Sequence, residues 1–444
     1  MSGTERPLSS KLVFYKGWMV YLPFLMLIMC NYFDQYFITF QGGTATKAYT
    51  LAMTIYWILV TIGTVISAFM AVHVRRRIDQ NDREGANRMA SNAIVYTVIF
   101  SVANSFIVST ALVPMVVTLP DDGVTDALRE FLKPLFLLNF AMAANLVLMG
   151  MLAALGHRRK YLVCIGITLF GEMFFNPFFI FVCHLGVFGN GLGTAVSLSA
   201  SGILALYWFL RGKVEVRLSW RLVDWSPRNI WGAAMRIRDY VVKNVATHVG
   251  ELLVRLQLYV TYTLTYGIPM LYSSFIVILG SGSAAASSGM YRDMYLKKDF
   301  DGALALLRGS VVETFMLMLI AATLMYSVND LLIAVFINHS DLVESEEIAV
   351  WTLDVLCFSA PFLGLKPVCG AVFVDRPLPA LDMAVTITGV VVRTVILVSA
   401  IWYEYPLLIF LIFFERVFVG ALSVYRAWRY IGSKKAAVQA PAAA

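Results

Sequence analysis

The chain has 444 residues, 59% of them hydrophobic and only 14% charged, with a mean hydropathy of +0.74 and a formal net charge of +7. Soluble domains carry roughly 45–50% apolar and about 25% charged residues, so a soluble enzyme or nucleic-acid-binding module is excluded and an integral membrane protein is indicated. A bilayer crossing needs roughly 20 mostly apolar residues. Twelve such runs can be marked, near 18–40, 48–73, 90–118, 131–156, 161–184, 187–210, 240–264, 268–291, 309–337, 349–374, 379–402 and 406–427. They are continuous rather than alternating, which predicts helices and not an outer-membrane barrel.

The first run, "VYLPFLMLIMCNYFDQYFITF", contains Asp34. A carboxylate in hydrocarbon costs at least roughly 2.5–3.5 kcal/mol on insertion scales, so it is expected to face a protein interior or a watery cavity. Tyr32, Phe33, Tyr36 and Phe37 flank it. These rings could stack on flat cations, and packing against neighbouring helices explains them as well.

Basic residues then set the orientation. The "RRR" of 75–77, the "RRK" of 158–160, the segment 211–238 and the set Arg426, Arg429, Lys434 and Lys435 all fall on one side. The opposite loops carry acid, in "PDDGVTDALRE" and "SDLVESEE". By the positive-inside rule both termini are cytoplasmic, and the net positive charge reflects topology and attraction to anionic lipid. The apolar run is too long for a signal peptide, and the site expected is a multi-pass cell membrane, plasma or inner. A glycosylation sequon at Asn338 reads as chance outside a eukaryotic host.

The fifth run holds Glu172 and Asn176, four apart and so on one helix face. With about 1.5 Å of rise per residue, Asp34 lies roughly 25 Å above Gly17, and Glu172 and Asn176 lie roughly 17 and 22 Å above Tyr161. The three can share a depth. Two carboxylates brought close would hold one proton between them, and two acids with an amide oxygen also suit a small hard cation such as sodium. A neighbouring helix satisfying each acid, with no function, is the plainer alternative.

The segment 211–238 holds Trp220, Trp225 and Trp231 among arginines, which suggests either a helix at the inner interface or a solvated loop. In the seventh run Lys243, Asn244, His248, Glu251 and Arg255 share one face, and Glu251 and Arg255 stand in i,i+4 order for an ion pair. "GSGSAAASSG" at 280–289 lies within a run, where small residues permit close helix packing. Lys366, Arg393 and Arg416 add positive charge to later runs, and such side chains can snorkel to an interface. The five cysteines show no metal spacing and read as small buried hydrophobes.

A slide of 217 residues lays "VTIGTVISAFMAVHVRRRIDQNDREGANRM" over "VILGSGSAAASSGMYRDMYLKKDFDGALAL" without a gap. It sets Gly63 on Gly280, Asp82 on Asp299 and Asp34 on Glu251. Two homologous six-helix lobes follow, related about an axis along the membrane normal. The expected organisation is a lobe at 1–210, an inter-lobe linker at 211–239, a second lobe at 240–427 and a tail at 428–444.

Three stretches carry a resemblance to a known family. "LPFLMLIMCNYFDQYFITFQGG", "RRRIDQNDREGANRMA" and "GEMFFNPFFIFVCHLGVFGNGLGTAVS" resemble, in order and spacing, the first span, the loop after span two and spans five and six of the multidrug and toxic-compound extrusion (MATE) transporters. The resemblance implies two six-helix lobes around a central cavity, expelling organic cations in exchange for protons or sodium ions, with no other cofactor. It places Asp34 on the family's first-span aspartate and Glu251 on a seventh-span glutamate of several branches. Glu172 and Asn176 fall on the family's fifth-span asparagine and aspartate with their polarities exchanged, and Lys366 stands where some members carry an acid.

No nucleophile elbow, phosphate loop or metal motif accompanies these residues, and a membrane-embedded enzyme is the weakest reading. The leading one is a monomeric antiporter that exports small amphiphilic compounds, working between two lobes in the bilayer. Its ion-coupling and cavity residues are Asp34, Glu172, Asn176 and Glu251, with Tyr32, Tyr36, His248, Arg255 and Lys366 as further cavity lining. A flippase for a lipid-linked saccharide, or an exporter of anionic substrates, stays open beside it.

Overall fold

A computed structural model of the protein describes residues 11–116, 123–337, 346–373, 385–392, 395 and 405–439. Side chains are described for these apart from 11–21, 23, 24, 27, 115, 116, 253–265, 337, 405–409 and 439. The sequon at Asn338, Arg393, the Arg255 side chain and most of the run 379–402 lie outside the described residues. Every regular element among those described is helical, as a chain in hydrocarbon requires when each backbone group must find its partner internally.

The first crossing is α1 (Lys11–Thr39), the second is α2 (Gly43–Leu59) with α3 (Thr61–Asp79), and the third is α4 (Arg83–Ile107), carried on by a π turn at Val108–Leu112 and by α5 (Val113–Val116). The fourth is α6 (Val124–Ala154), the fifth α7 (Arg158–Pro177) with a π turn at Phe178–Val182, and the sixth α8 (Gly186–Leu210). The second half holds α9 (Pro227–Leu296), α10 (Phe300–Tyr326), α11 (Asn329–Ile337), α12 (Glu346–Gly370), α13 (385–392) and α14 (Tyr405–Gln439). Among the described residues seven helices are long and apolar enough to cross a bilayer, and α2 with α3 forms an eighth candidate bent by 43°. The bend is supported from α4: Asn104 Nδ2 donates to the Leu59 carbonyl at 2.8 Å and to the Ile58 carbonyl at 3.2 Å, so the groups freed at the break stay bonded.

One expectation is corrected. The spans at 240–264 and 268–291 were expected as separate helices, yet α9 is helical through both. The reason is chemical. In the first half the chain breaks at Gly42, whose φ of 91° suits glycine. Its counterpart 217 residues on is Tyr259, followed by valine and threonine, which offer no such break. The segment 211–238 is likewise neither helix nor plain loop throughout: a single 3-10 turn at Trp220–Leu222 precedes the start of α9 at Pro227, where proline's missing N–H is harmless.

The internal repeat is visible in local geometry. Asp82 caps α4 by accepting from the Gly85 backbone N–H at 2.9 Å, and Asp299 caps α10 by accepting from that of Gly302 at 2.8 Å. The preceding residues, Asn81 and Lys298, share the left-handed conformation at φ 59° and 57°. Gly63 of α3 lies against α6, where an added Cβ would stand 2.7 Å from Ala143 Cα, and Gly280 of α9 lies against α12, where a Cβ would overlap the Gly364 carbonyl. The small-residue stretch 280–289 does pack as expected, with Thr314 Oγ1 donating to Ser283 Oγ at 2.8 Å.

The chain divides into two compact units. One is Met29–Thr263, whose apolar core joins α2, α6 and α8 and takes in Leu252 of α9. The other gathers the start of α1 up to Ile28, Leu264–Ile337 and the described residues beyond. Because backbone is what opposes a side chain at both crossings, Gly63→Ala and Gly280→Ala should each cost about 1–3 kcal/mol through overpacking. Gly166→Ala, with open space around it, should be neutral. Thermal unfolding of the three purified variants in detergent checks this, and equal melting temperatures would contradict it.

Candidate functional site

Two rungs join α1 to α7. Asp34 and Asn176 form one, Asn176 Nδ2 donating to Asp34 Oδ1. Cys30 and Glu172 form the other, standing side by side one helical turn away. Each helix supplies its two residues four apart, so two parallel faces meet at matching heights. All four are buried, with Asp34 at 1%, Glu172 at 2% and Asn176 at 0% exposure.

The third wall is α8. Thr194 Oγ1 lies 3.1 Å from Asp34 Oδ2 and 3.3 Å from Oδ1, and Asn190 Nδ2 donates to the Asp34 main-chain carbonyl at 3.4 Å. This wall can come so close because residue 193 is glycine: a Cβ there would fall on Asn176 Oδ1 and 2.9 Å from the Asn176 backbone nitrogen. Beyond Asn176, Pro177 cannot donate a backbone bond, and the helix relaxes into the π turn Phe178–Val182.

The group is short of donors. Thr194 has one hydroxyl proton, yet Asp34 and the Asn190 carbonyl, 3.2 Å away, both stand within its reach. Glu172 Oε2, Asn176 Oδ1 and Asn190 Oδ1 are buried without a hydrogen-bond partner, as is the donor Gln35 Nε2 on the next position of α1. A buried acceptor left unmade costs roughly 1–3 kcal/mol. Such a cage can be relieved in two ways: by a proton on a carboxyl, which turns an acceptor into a donor, or by a small hard cation, which oxygen ligands suit.

The structure thus brings Asp34, Glu172 and Asn176 together. Glu251 is half-buried on α9, the helix whose Val245, Val249 and Leu252 pack against the core of α2, α6 and α8. His248 on the same helix stacks on Trp57, ring centroids 6.2 Å apart at 16°. Tyr32 meets the Phe33 ring edge-on and Tyr36 meets Phe37 and Phe40, so these rings contact each other. Lys366 is half-buried on α12.

Of the later basic residues, Arg416 is 1% exposed, and its guanidinium donates to the Leu356 carbonyl at 3.1 Å and to Ser359 Oγ at 3.0 Å. One expectation needs correcting: not all cysteines are buried hydrophobes, since Cys183 is exposed just beyond the π turn. Thr194, Asn190 and Cys30 were missed by sequence reasoning. The signal for the first two was present, as polar residues four apart amid the glycines of "GNGLGT" inside an apolar run.

A model of the MatE family matches residues 20–178 of the chain, a stretch that includes Asp34, Glu172 and Asn176. No curated protein matches the chain in sequence. Among solved structures, an inward-facing conformation of a multidrug resistance MATE family transporter of the MOP superfamily superposes with a TM-score of 0.77 at 14% identity, covering 98% of this chain and 100% of that one. An outward-facing conformation of such a transporter gives 0.76 at 14% identity over 97% of both chains. A MOP superfamily transporter from Pyrococcus furiosus, described as having a binding pocket of reverse polarity that suggests a different function, gives 0.77 at 14% identity over 96% of both. The fold is therefore that of the MATE transporters, membrane carriers of twelve helices in two lobes and not enzymes. Residues 20–178 carry the MatE sequence pattern as well.

Gly193→Ala should push α8 off Asn176. We expect a loss of about 1–3 kcal/mol in stability from the forced contact, larger than that of Gly166→Ala on α7. Melting temperatures of the two purified variants measure it, and equal values would show that the close approach of α8 is not needed.

Proposed function

We propose that the protein is an ion-coupled exporter of small amphiphilic compounds, in which the group around Asp34 takes up a proton or a sodium ion in one facing state and releases it in the other. The carrying observation is the shortage of donors at a fully buried carboxylate: Asp34, Glu172, Asn176 and Asn190 present more acceptor oxygens than Thr194 and the amide groups can satisfy. An ion bound equally well in both states would shift nothing, so coupling rests on the oxygens being gathered in one state and parted in the other. The chain is a multi-pass membrane protein, and the placing of both termini inside rests on the charge of its loops.

A second reading, export of an anionic compound, is favoured by one observation. Arg416 is buried in the second unit with no carboxylate at ion-pairing distance among the described residues, and its Nε has no hydrogen-bond partner. A buried charge left unpaired is costly, and a substrate carboxylate or phosphate would relieve it.

The decisive experiment is transport into proteoliposomes under an imposed proton or sodium gradient, with ethidium as a cationic probe and fluorescein as an anionic one. Asp34→Asn should leave the protein inserted and able to bind the probe while abolishing uphill movement, and Glu172→Gln should weaken coupling about ten-fold or more. If Asp34→Asn still concentrates probe at the wild-type rate, the carboxylate is structural. Uphill movement of fluorescein alone would decide for the anionic reading.

A further inference from the structure

A second cleft lies in the same unit, away from Asp34. It is bounded by α3, α4 and the chain from Asp224 into the first turns of α9, and encloses about 530 Å³, within the range of roughly 300–1,000 Å³ typical of ligand pockets. Its floor is apolar, made by Ile66, Phe69, Met70 and Phe100, and its rim carries both signs of charge.

The cleft is rigidly built. Side chains along one side of α4 hold the linker backbone: Asn87 Oδ1 accepts from Arg217 N at 2.8 Å, Ser91 Oγ from Ser219 N at 3.0 Å and Asn92 Oδ1 from Asp224 N at 2.8 Å. Tyr96 Oη donates to the Asp224 carbonyl at 2.6 Å. The linker is thus one wall of a fixed site.

Most of the rim charge is committed. Asp82 accepts from the Gly85 backbone N–H and from Arg77, which hold its carboxyl below the usual range. Asp224 accepts from Ser226 N at 2.9 Å and Asn229 Nδ2 at 2.5 Å, which likewise keep it ionised, with Arg88 3.8 Å away. What remains is one anion and one cation. Glu84 and Arg236 are both exposed at the rim, and neither enters an ion pair among the described residues.

Depth names the occupant. Trp225 and Trp231, on the wall-forming chain, are 57% and 66% exposed, as expected of rings seated at a membrane–water interface. On the orientation argued above this is the inner leaflet. An apolar floor below headgroup level, with one uncommitted acid and one uncommitted base at its lip, is complementary to an acyl chain under a zwitterionic headgroup.

We propose that this cleft binds a phospholipid of the phosphatidylethanolamine class, with its phosphate on Arg236, its primary ammonium on Glu84 and one acyl chain over Ile66, Phe69 and Phe100. Phosphatidylglycerol brings no ammonium and leaves Glu84 beside an anion. Phosphatidylcholine carries a quaternary ammonium without N–H donors and forfeits the charge-assisted hydrogen bond.

The test is native mass spectrometry of the full chain in detergent with dioleoyl phosphatidylethanolamine, phosphatidylcholine or phosphatidylglycerol added at equal concentration. Binding in detergent does not depend on orientation in a bilayer or on ion coupling, so its failure is separable from failure of the exporter reading. Wild type should retain the ethanolamine lipid about ten-fold better than the choline lipid, on the order of the 1.4 kcal/mol that a decade represents. Glu84→Gln should erase that preference, and Arg236→Gln should weaken both lipids. Unchanged melting temperatures without lipid would show that these exposed substitutions leave the fold alone. Equal retention of the two zwitterionic lipids, a preference for the glycerol lipid, or an unchanged preference in Glu84→Gln would each overturn the proposal.

Discussion

A charge in hydrocarbon must be met by protein, and the first unit is arranged around meeting the one at Asp34. Three helices converge on it, each with residues set four apart, so that α1 and α7 offer matching faces and α8 closes them. That closure depends on a missing side chain. With any Cβ at position 193, α8 would stand off, Thr194 would lose Asp34, and the carboxylate would be left with Asn176 alone. The same glycine that permits the fold therefore sets the strength of the site.

Much of this was legible in the sequence, for reasons that can be traced to particular residues. Asp34, Glu172 and Asn176 stood out because polar groups in apolar runs are few and expensive, and helical rise placed them at one depth. Asp82 and Asp299 were paired by the repeat, and their caps prove alike to the backbone angle. The donor side of the site was harder to read. Thr194, Asn190 and Cys30 carry no charge, and only three-dimensional contact shows that they face the acids. Position on a helix is a local property, whereas partnership is not.

Other features lay beyond the sequence for the same reason. On α9, which the offset of 217 residues sets against α1, His248 stacks on Trp57 and Leu252 enters the first unit's core. The run of α9 through two expected spans arises where a glycine break in one half has no counterpart in the other. Arg416 is a cation long enough to reach an interface, but α14 holds it among Leu356, Ser359 and Met270. Hydropathy sees how long a side chain is; it does not see which way the helix faces.

These differences separate what a duplicated chain must keep from what it can change. Caps and glycine crossings are constrained by backbone, because a lost cap or an added Cβ disturbs a helix whatever the function, and both halves retain them. The polar groups inside each bundle are free of that constraint and have diverged in sign. The first unit gathers carboxylates and amide oxygens that lack donors, while the second buries a guanidinium against the Leu356 carbonyl and the Ser359 hydroxyl. Oxygens without donors invite a proton or a cation, and a guanidinium without a carboxylate invites an anion. A repeat fixed in its packing and diverged in its buried charge supplies that difference without a change of fold.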